Sequence, residues 1–152
     1  MKGHFFGAFV VVALGAFIMA TPFWFFPVCQ DGVAAASGAV LPMKCHWMAR
    51  SELGCGAVVV FAGLALLFAG PAVRKGVALM LLPLGALVIL LPTRLVGVCK
   101  SEMMPCHMGT LPALCLLGGA TVAVGAAILL RLRAEAVLRA ERDARQNGRE
   151  NP

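Results

Sequence analysis

Four runs of about twenty residues, roughly Phe5 to Phe26, Leu53 to Val73, Val77 to Val98 and Leu111 to Leu130, carry almost no polar side chains. The first charge inside any of them is Arg94, near the end of the third. A helix of that length rises about 30 Å, the thickness of a bilayer's hydrocarbon layer. A soluble helix would show a polar face at a period near 3.6, and none of these runs does. Lipid offers no partner to backbone N–H and C=O groups, so each run must satisfy its own by coiling. The chain is therefore predicted to be an all-α, polytopic membrane protein of four transmembrane helices. Its 152 residues leave room for one domain, and only 13% of them are charged.

The first run resembles a secretory signal in having Lys2 before it and Ala20 as a candidate cleavage point. Ile18, at the position three residues before the cut, is too large for that reading, and Pro22 follows closely. The run is expected to stay. Orientation follows from Lys and Arg in the flanks. Lys2, Arg74, Lys75 and the six tail arginines fall on one side, against Lys44, Arg50, Arg94 and Lys100 on the other. This asymmetry predicts both termini in the cytoplasm, with the two Cys-His loops outside. The net charge of +6 is accordingly an orientation signal beside anionic headgroups, and no basic surface suited to nucleic acid is visible.

The two halves of the chain repeat one another. Pro22 precedes Cys29 by seven residues, as Pro92 precedes Cys99. Met43-x-Cys45-His46 matches Met104-x-Cys106-His107, and Cys55 and Cys115 follow at similar distances. All six cysteines fall into this scheme. The unit is helix, outer loop, helix, with hairpins over about 5–73 and 77–130. Two hairpins of like orientation imply a pseudo-twofold axis along the membrane normal and outer loops that meet at one end. Gly54, Gly56 and Gly63, with Gly118, Gly119 and Gly125, suit close helix contacts. Pro83, inside the third helix, should kink it, and Ser51 and Thr110 are candidate N-caps for the second and fourth. Trp24 and Trp47 suit the outer aromatic belt. Residues 131–152 form a charged cytoplasmic tail, helical to about Arg145 and fraying at Asn147-Gly148, with Glu135–Arg139 and Glu141–Arg145 as helix-supporting pairs.

The outer segments carry the candidate chemistry. Cys29, Cys45, Cys99 and Cys106 would sit in an oxidising space, where pairing as Cys29–Cys45 and Cys99–Cys106 closes two short loops. That structural reading leaves the flanking residues unused. Thiolate, imidazole and thioether groups together select a soft ion such as Cu(I), with Met43, Cys45, His46 and Met48 on one loop and Met104, Cys106, His107 and Met108 on the other as candidate ligands. Zinc would need four ligands drawn from both loops, and haem would need His46 and His107 as axial ligands. A third reading is thiol–disulfide exchange, although the nearest outer pair, Cys99 and Cys106, lacks the CxxC spacing that such chemistry favours. Cys55 and Cys115 are expected to be buried, inert thiols a turn or two into their helices. Asp31, Glu52 and Glu102 read as too few and too peripheral for a proton path.

The segments "PMKCHWMARSELG" and "LLPTRLVGVCKSEMMPCHMGTLPAL", with the four-helix plan, resemble a family of small bacterial membrane proteins of unknown function, from about Pro22 to Gly125. The resemblance implies no activity. It does imply occasional association with the permease and ATPase components of export-type transporters. Nothing in the chain resembles an ATP-binding loop, so driven transport would need a partner, and a pathway through only four helices would need self-association. The sequence thus points to a non-enzymatic accessory subunit in the lipid bilayer with an outer Cys/His/Met cluster. A thiol–disulfide oxidoreductase and a disulfide-clamped structural subunit are the alternatives.

Overall fold

The computed structural model describes residues 2–28, 32–34, 40–42, 44–98 and 106–150. Four long helices dominate: α1 (Lys2–Ala20), α2 (Lys44–Phe68), α3 (Pro71–Leu90) and α4 (Leu111–Glu150). With their π-helical extensions, all four are long and apolar enough to cross a membrane. The protein is a multi-pass membrane protein, and the exposed Phe5, Phe9, Phe61 and Phe68 are the surface such a bundle presents to lipid. Two three-residue strands, β1 (Gly32–Ala34) and β2 (Val40–Pro42), pair antiparallel between α1 and α2, with Val33 opposite Leu41.

The helix bounds differ from the hydropathy runs. α2 begins at Lys44, nine residues before Leu53, and α3 begins at Pro71 rather than near Val77. Lys44 to Ser51 is polar yet helical, because Cys45, Met48 and Ala49 are already on the buried face. Ser51 is consequently no N-cap: its hydroxyl donates back to the Trp47 carbonyl at 3.0 Å. Thr110 is already the last residue of a π turn, Cys106–Thr110, that runs into α4, and its hydroxyl donates to the Phe26 carbonyl across the bundle. α4 continues through Asn147 and Gly148 to Glu150 instead of fraying. One glycine costs a helix about 1 kcal/mol, which the surrounding helix formers offset.

Each hairpin is one packing unit. α1 packs most extensively on α2 and α3 on α4, while α2–α3 and α1–α4 contacts close the ring. The tight pairs rest on matched glycines. A Cβ on Gly15 would lie 2.8 Å from the Gly56 carbonyl oxygen, and one on Gly56 would lie 2.8 Å from that of Gly15. Gly85 and Gly118 repeat this mutual approach at the same 2.8 Å. Gly63 lies against Ala8 and Val12, and Gly125 against Ala78 and Leu82. Without side chains at these points the backbones come close enough for dispersion contacts along the whole crossing. Gly54 and Gly119 meet nothing within 4 Å and take no part.

The outer ends of α1 and α3 repeat as well. Each passes into a π turn, Thr21–Phe25 and Leu91–Leu95, with a buried proline, Pro22 or Pro92, at its start. Proline removes an amide donor and disrupts the preceding ladder, and the chain answers with wider bonds, Phe26 N–H to Thr21 O and Val96 N–H to Leu91 O. Gly97 ends the second turn at φ +77, a backbone conformation that glycine adopts without strain.

Candidate functional site

The duplicated Cys-His motifs lie at the same end of the bundle, and a single insertion separates their registers. From Cys45 to Gly56 the chain advances eleven residues, but from Cys106 to Gly118 it advances twelve. A third π turn, Cys106–Thr110, opens the second hairpin's inward helix, whereas α2 is α-helical from Lys44. A π turn accommodates one extra residue. It therefore absorbs the insertion and returns Cys106 to the place Cys45 holds. Exposure follows suit: Cys45 and Cys106 have none, His46 and His107 are half-buried, and Trp47 and Met108 are exposed.

Beyond the tips the equivalence of the cysteines ends. Gly56 and Gly63 correspond to Gly118 and Gly125, sixty-two residues on, so Cys55 corresponds to Leu117 and Cys115 to Leu53. The similar spacing of Cys55 and Cys115 in the sequence is thus not a shared place in the fold. Cys55 lies three turns into α2, deeper than expected, and both thiols are half-buried rather than enclosed.

Cys45, Met48 and Cys106 belong to one contiguous core with Ile18, Val28 and Leu114. The two hairpins are clasped beside them. A Cβ on Gly109 would run into the Phe26 ring, and Thr110 Oγ1 donates to the Phe26 carbonyl at 2.9 Å. This bond joins the end of the first hairpin's outgoing arm to the start of α4, and it sets the height at which Cys106 enters the core.

The other proposed ligands divide. The Met48 side chain is buried, while Met108 is 72% exposed and Trp47 stands where the second hairpin has Met108. The His46 ring meets Trp47 edge-on at 6.2 Å. His107 Nδ1 is buried without a hydrogen-bond partner. Met43, Met104, Cys29 and Cys99 lie outside the described residues, as do one half of each expected disulfide, Cys29–Cys45 and Cys99–Cys106. Cys55, Cys106 and Cys115 carry free thiols. Among the described residues no three His, Cys, Asp or Glu side chains gather as a closed metal site. Cys45, Met48 and Cys106 are the sulfur-bearing side chains with zero exposure among the described residues.

One residue of this region is misjudged by its place in the sequence. Glu52 is not peripheral: it has no exposure, and neither carboxylate oxygen has a hydrogen-bond partner. It falls on the buried stripe of α2 with Cys45, Met48, Gly56 and Val59. That helical spacing was readable, but only with the start of α2 placed at Lys44.

A family model described as a domain of unknown function (DUF4418) matches residues 11–130. No curated protein and no solved structure matches the chain.

Proposed function

The chain belongs to the DUF4418 family, whose description assigns no activity, and we propose that it is a non-enzymatic membrane subunit holding a soft metal ion at its outer end. Cu(I) is the ion that fits, bound between Cys45 and Cys106. The carrying observation is that the two hairpin tips each bury a cysteine at zero exposure in one core. Two thiolates suffice for Cu(I), which is soft and accepts low coordination, whereas a zinc site would call for four ligands. The buried thioether of Met48 and the unpartnered His107 Nδ1 are the reserves from which a third ligand would come. Cargo transfer would then involve an energy-supplying partner, in keeping with the export-type permease and ATPase components that the resemblance implies.

The test is metal analysis of the reduced, full-length protein after loading with Cu(I). About one copper per chain is expected, since two tips make one site, and it should be lost in Cys45→Ser/Cys106→Ser. Copper content unchanged in that double variant overturns the reading. His46→Ala/His107→Ala should retain the ion with weaker binding.

A further inference from the structure

Among the described residues Glu52 is the only carboxyl or basic side chain carried into the core at zero exposure. On α2 it lies five residues beyond Trp47, about 8 Å further along the helix axis. Its surroundings offer it no donor. The buried hydroxyls are committed elsewhere: Thr21 donates to Phe17 O at 2.7 Å, Thr110 to Phe26 O at 2.9 Å and Thr121 to Leu117 O at 2.8 Å. α1 carries no ionisable side chain between Phe5 and Ala20, and α3 none between Lys75 and Leu90. Arg94, beyond α3, is exposed. Among the described residues, the ionisable groups on the neighbouring stretches of α2, α4 and the Cys106–Thr110 turn are Cys45, Cys55, Cys106 and Cys115, the half-buried His46 and His107, and the exposed Lys44 and Arg50.

The duplication supplies an internal control. The glycine register places Leu114 of α4 at the position equivalent to Glu52, and Leu114 is also at zero exposure. The second hairpin thus fills the same place with an apolar side chain, so the packing of this fold does not require a carboxyl there. An uncompensated carboxylate in an apolar interior carries a heavy desolvation cost, and ionisable groups inside membrane bundles mark ion or proton sites. A metal ion would need several ligands, and no group of three His, Cys, Asp or Glu side chains surrounds Glu52 among the described residues. A proton needs one.

We propose that Glu52 is a proton-binding site in the outer part of the bundle. The step balances simply: one carboxylate oxygen and one proton form one O–H bond, water at the outer end supplies and receives the proton, and no electron moves. This goes beyond the metal reading and does not depend on it: the Cu(I) reading rests on Cys45 and Cys106, the nearer of its reserve ligands, Met48, is one turn from Glu52, and the test is made on metal-free protein.

The test uses the full-length, metal-free protein in lipid nanodiscs. A lipid-soluble carbodiimide modifies carboxyls that carry a proton, and peptide mass spectrometry locates the adduct. Glu52 should be modified, with yield falling about tenfold for each pH unit above its titration midpoint. In infrared difference spectra the carbonyl band of a protonated carboxyl should vanish in Glu52→Leu, the variant that copies the second hairpin. Glu52 unmodified at every pH, with exposed Glu141 still modified by a water-soluble carbodiimide, overturns the proposal. So does a pH-independent yield, or the same infrared band in a folded Glu52→Leu protein. If Glu52→Leu fails to fold, the carbodiimide arm decides on the native chain alone.

Discussion

Adding one methyl group to α2 at neighbouring glycines should produce opposite effects. At Gly56 an alanine Cβ would sit 2.6 Å from Met19 Cγ and 2.8 Å from the Gly15 carbonyl oxygen. Optimal non-bonded separations are about 3.5–4.0 Å, so α1 and α2 would have to part by roughly 0.5–1 Å, a gap that already forfeits a quarter to a half of each dispersion contact. The obstacle includes backbone, which cannot swing aside as a side chain can, so the cost should approach the top of the ~1–3 kcal/mol range for overpacking. Alanine's better helix propensity returns up to about 1 kcal/mol. The net is a loss of about 1–2 kcal/mol. At Gly54 nothing lies within 4 Å, so Gly54→Ala should be neutral or stabilising by up to about 1 kcal/mol. The two variants should therefore differ by about 2 kcal/mol, a change approaching 30-fold in the folding equilibrium. Gly118→Ala and Gly119→Ala should reproduce the contrast in the second hairpin, since Gly118 meets the Gly85 carbonyl oxygen at 2.8 Å and Gly119 meets nothing. Unfolding by SDS titration of the protein in mixed micelles, followed by circular dichroism, measures it. Equal midpoints for Gly54→Ala and Gly56→Ala would refute the idea that close backbone approach holds each hairpin together.

Two further perturbations probe the outer end and the topology. Thr110→Val removes the donor to Phe26 O and should cost about 0.5–1.5 kcal/mol in the same titration, while Gly109→Ala, which drives a methyl group into the Phe26 ring, should cost at least as much; neither variant moving the midpoint would show that the clasp carries no stability. In a chain stripped of its native cysteines, a cysteine at the exposed position of Met108 should react with an impermeant maleimide in intact cells, and one at exposed Arg142 only after permeabilisation; the reverse pattern would invert the orientation expected from the arginine-rich tail.

The four spans were legible because a charge-free run of twenty residues has few structural options in lipid. The repeat was legible from prolines and Cys-His pairs, and the structure extends it to glycine contacts spaced too widely in sequence to be recognised as partners. The start of α2 was not legible from hydropathy. Lys44, His46, Arg50, Ser51 and Glu52 lower the local average, although Cys45, Met48, Ala49 and Glu52 already keep helical spacing. Treating that stretch as a loop made Ser51 a cap and Glu52 a surface residue. Thr110 was misread for a related reason: a hydroxyl before a helix has several acceptors within reach, and sequence cannot reveal that the Phe26 carbonyl, eighty-four positions away, is the one taken. The Cys-His pairs could be named from the sequence, but the burial of Cys106 beside the exposure of Met108 depends on a π turn that absorbs one residue.

A duplicated fold separates what packing demands from what it does not. The mutual glycine approaches, the proline-initiated π turns and the buried tip cysteines occur in both hairpins. Packing between two like units needs matching parts, so these shared features are its working elements. Glu52 stands apart, since its counterpart Leu114 shows that the bundle closes without it. A buried, unpartnered carboxyl lowers stability wherever it occurs, and Glu52→Leu should accordingly raise the SDS midpoint even as it abolishes carbodiimide modification. A group that costs stability and is dispensable to the fold has its reason in what it binds, and that site has no counterpart at Leu114 in the second hairpin.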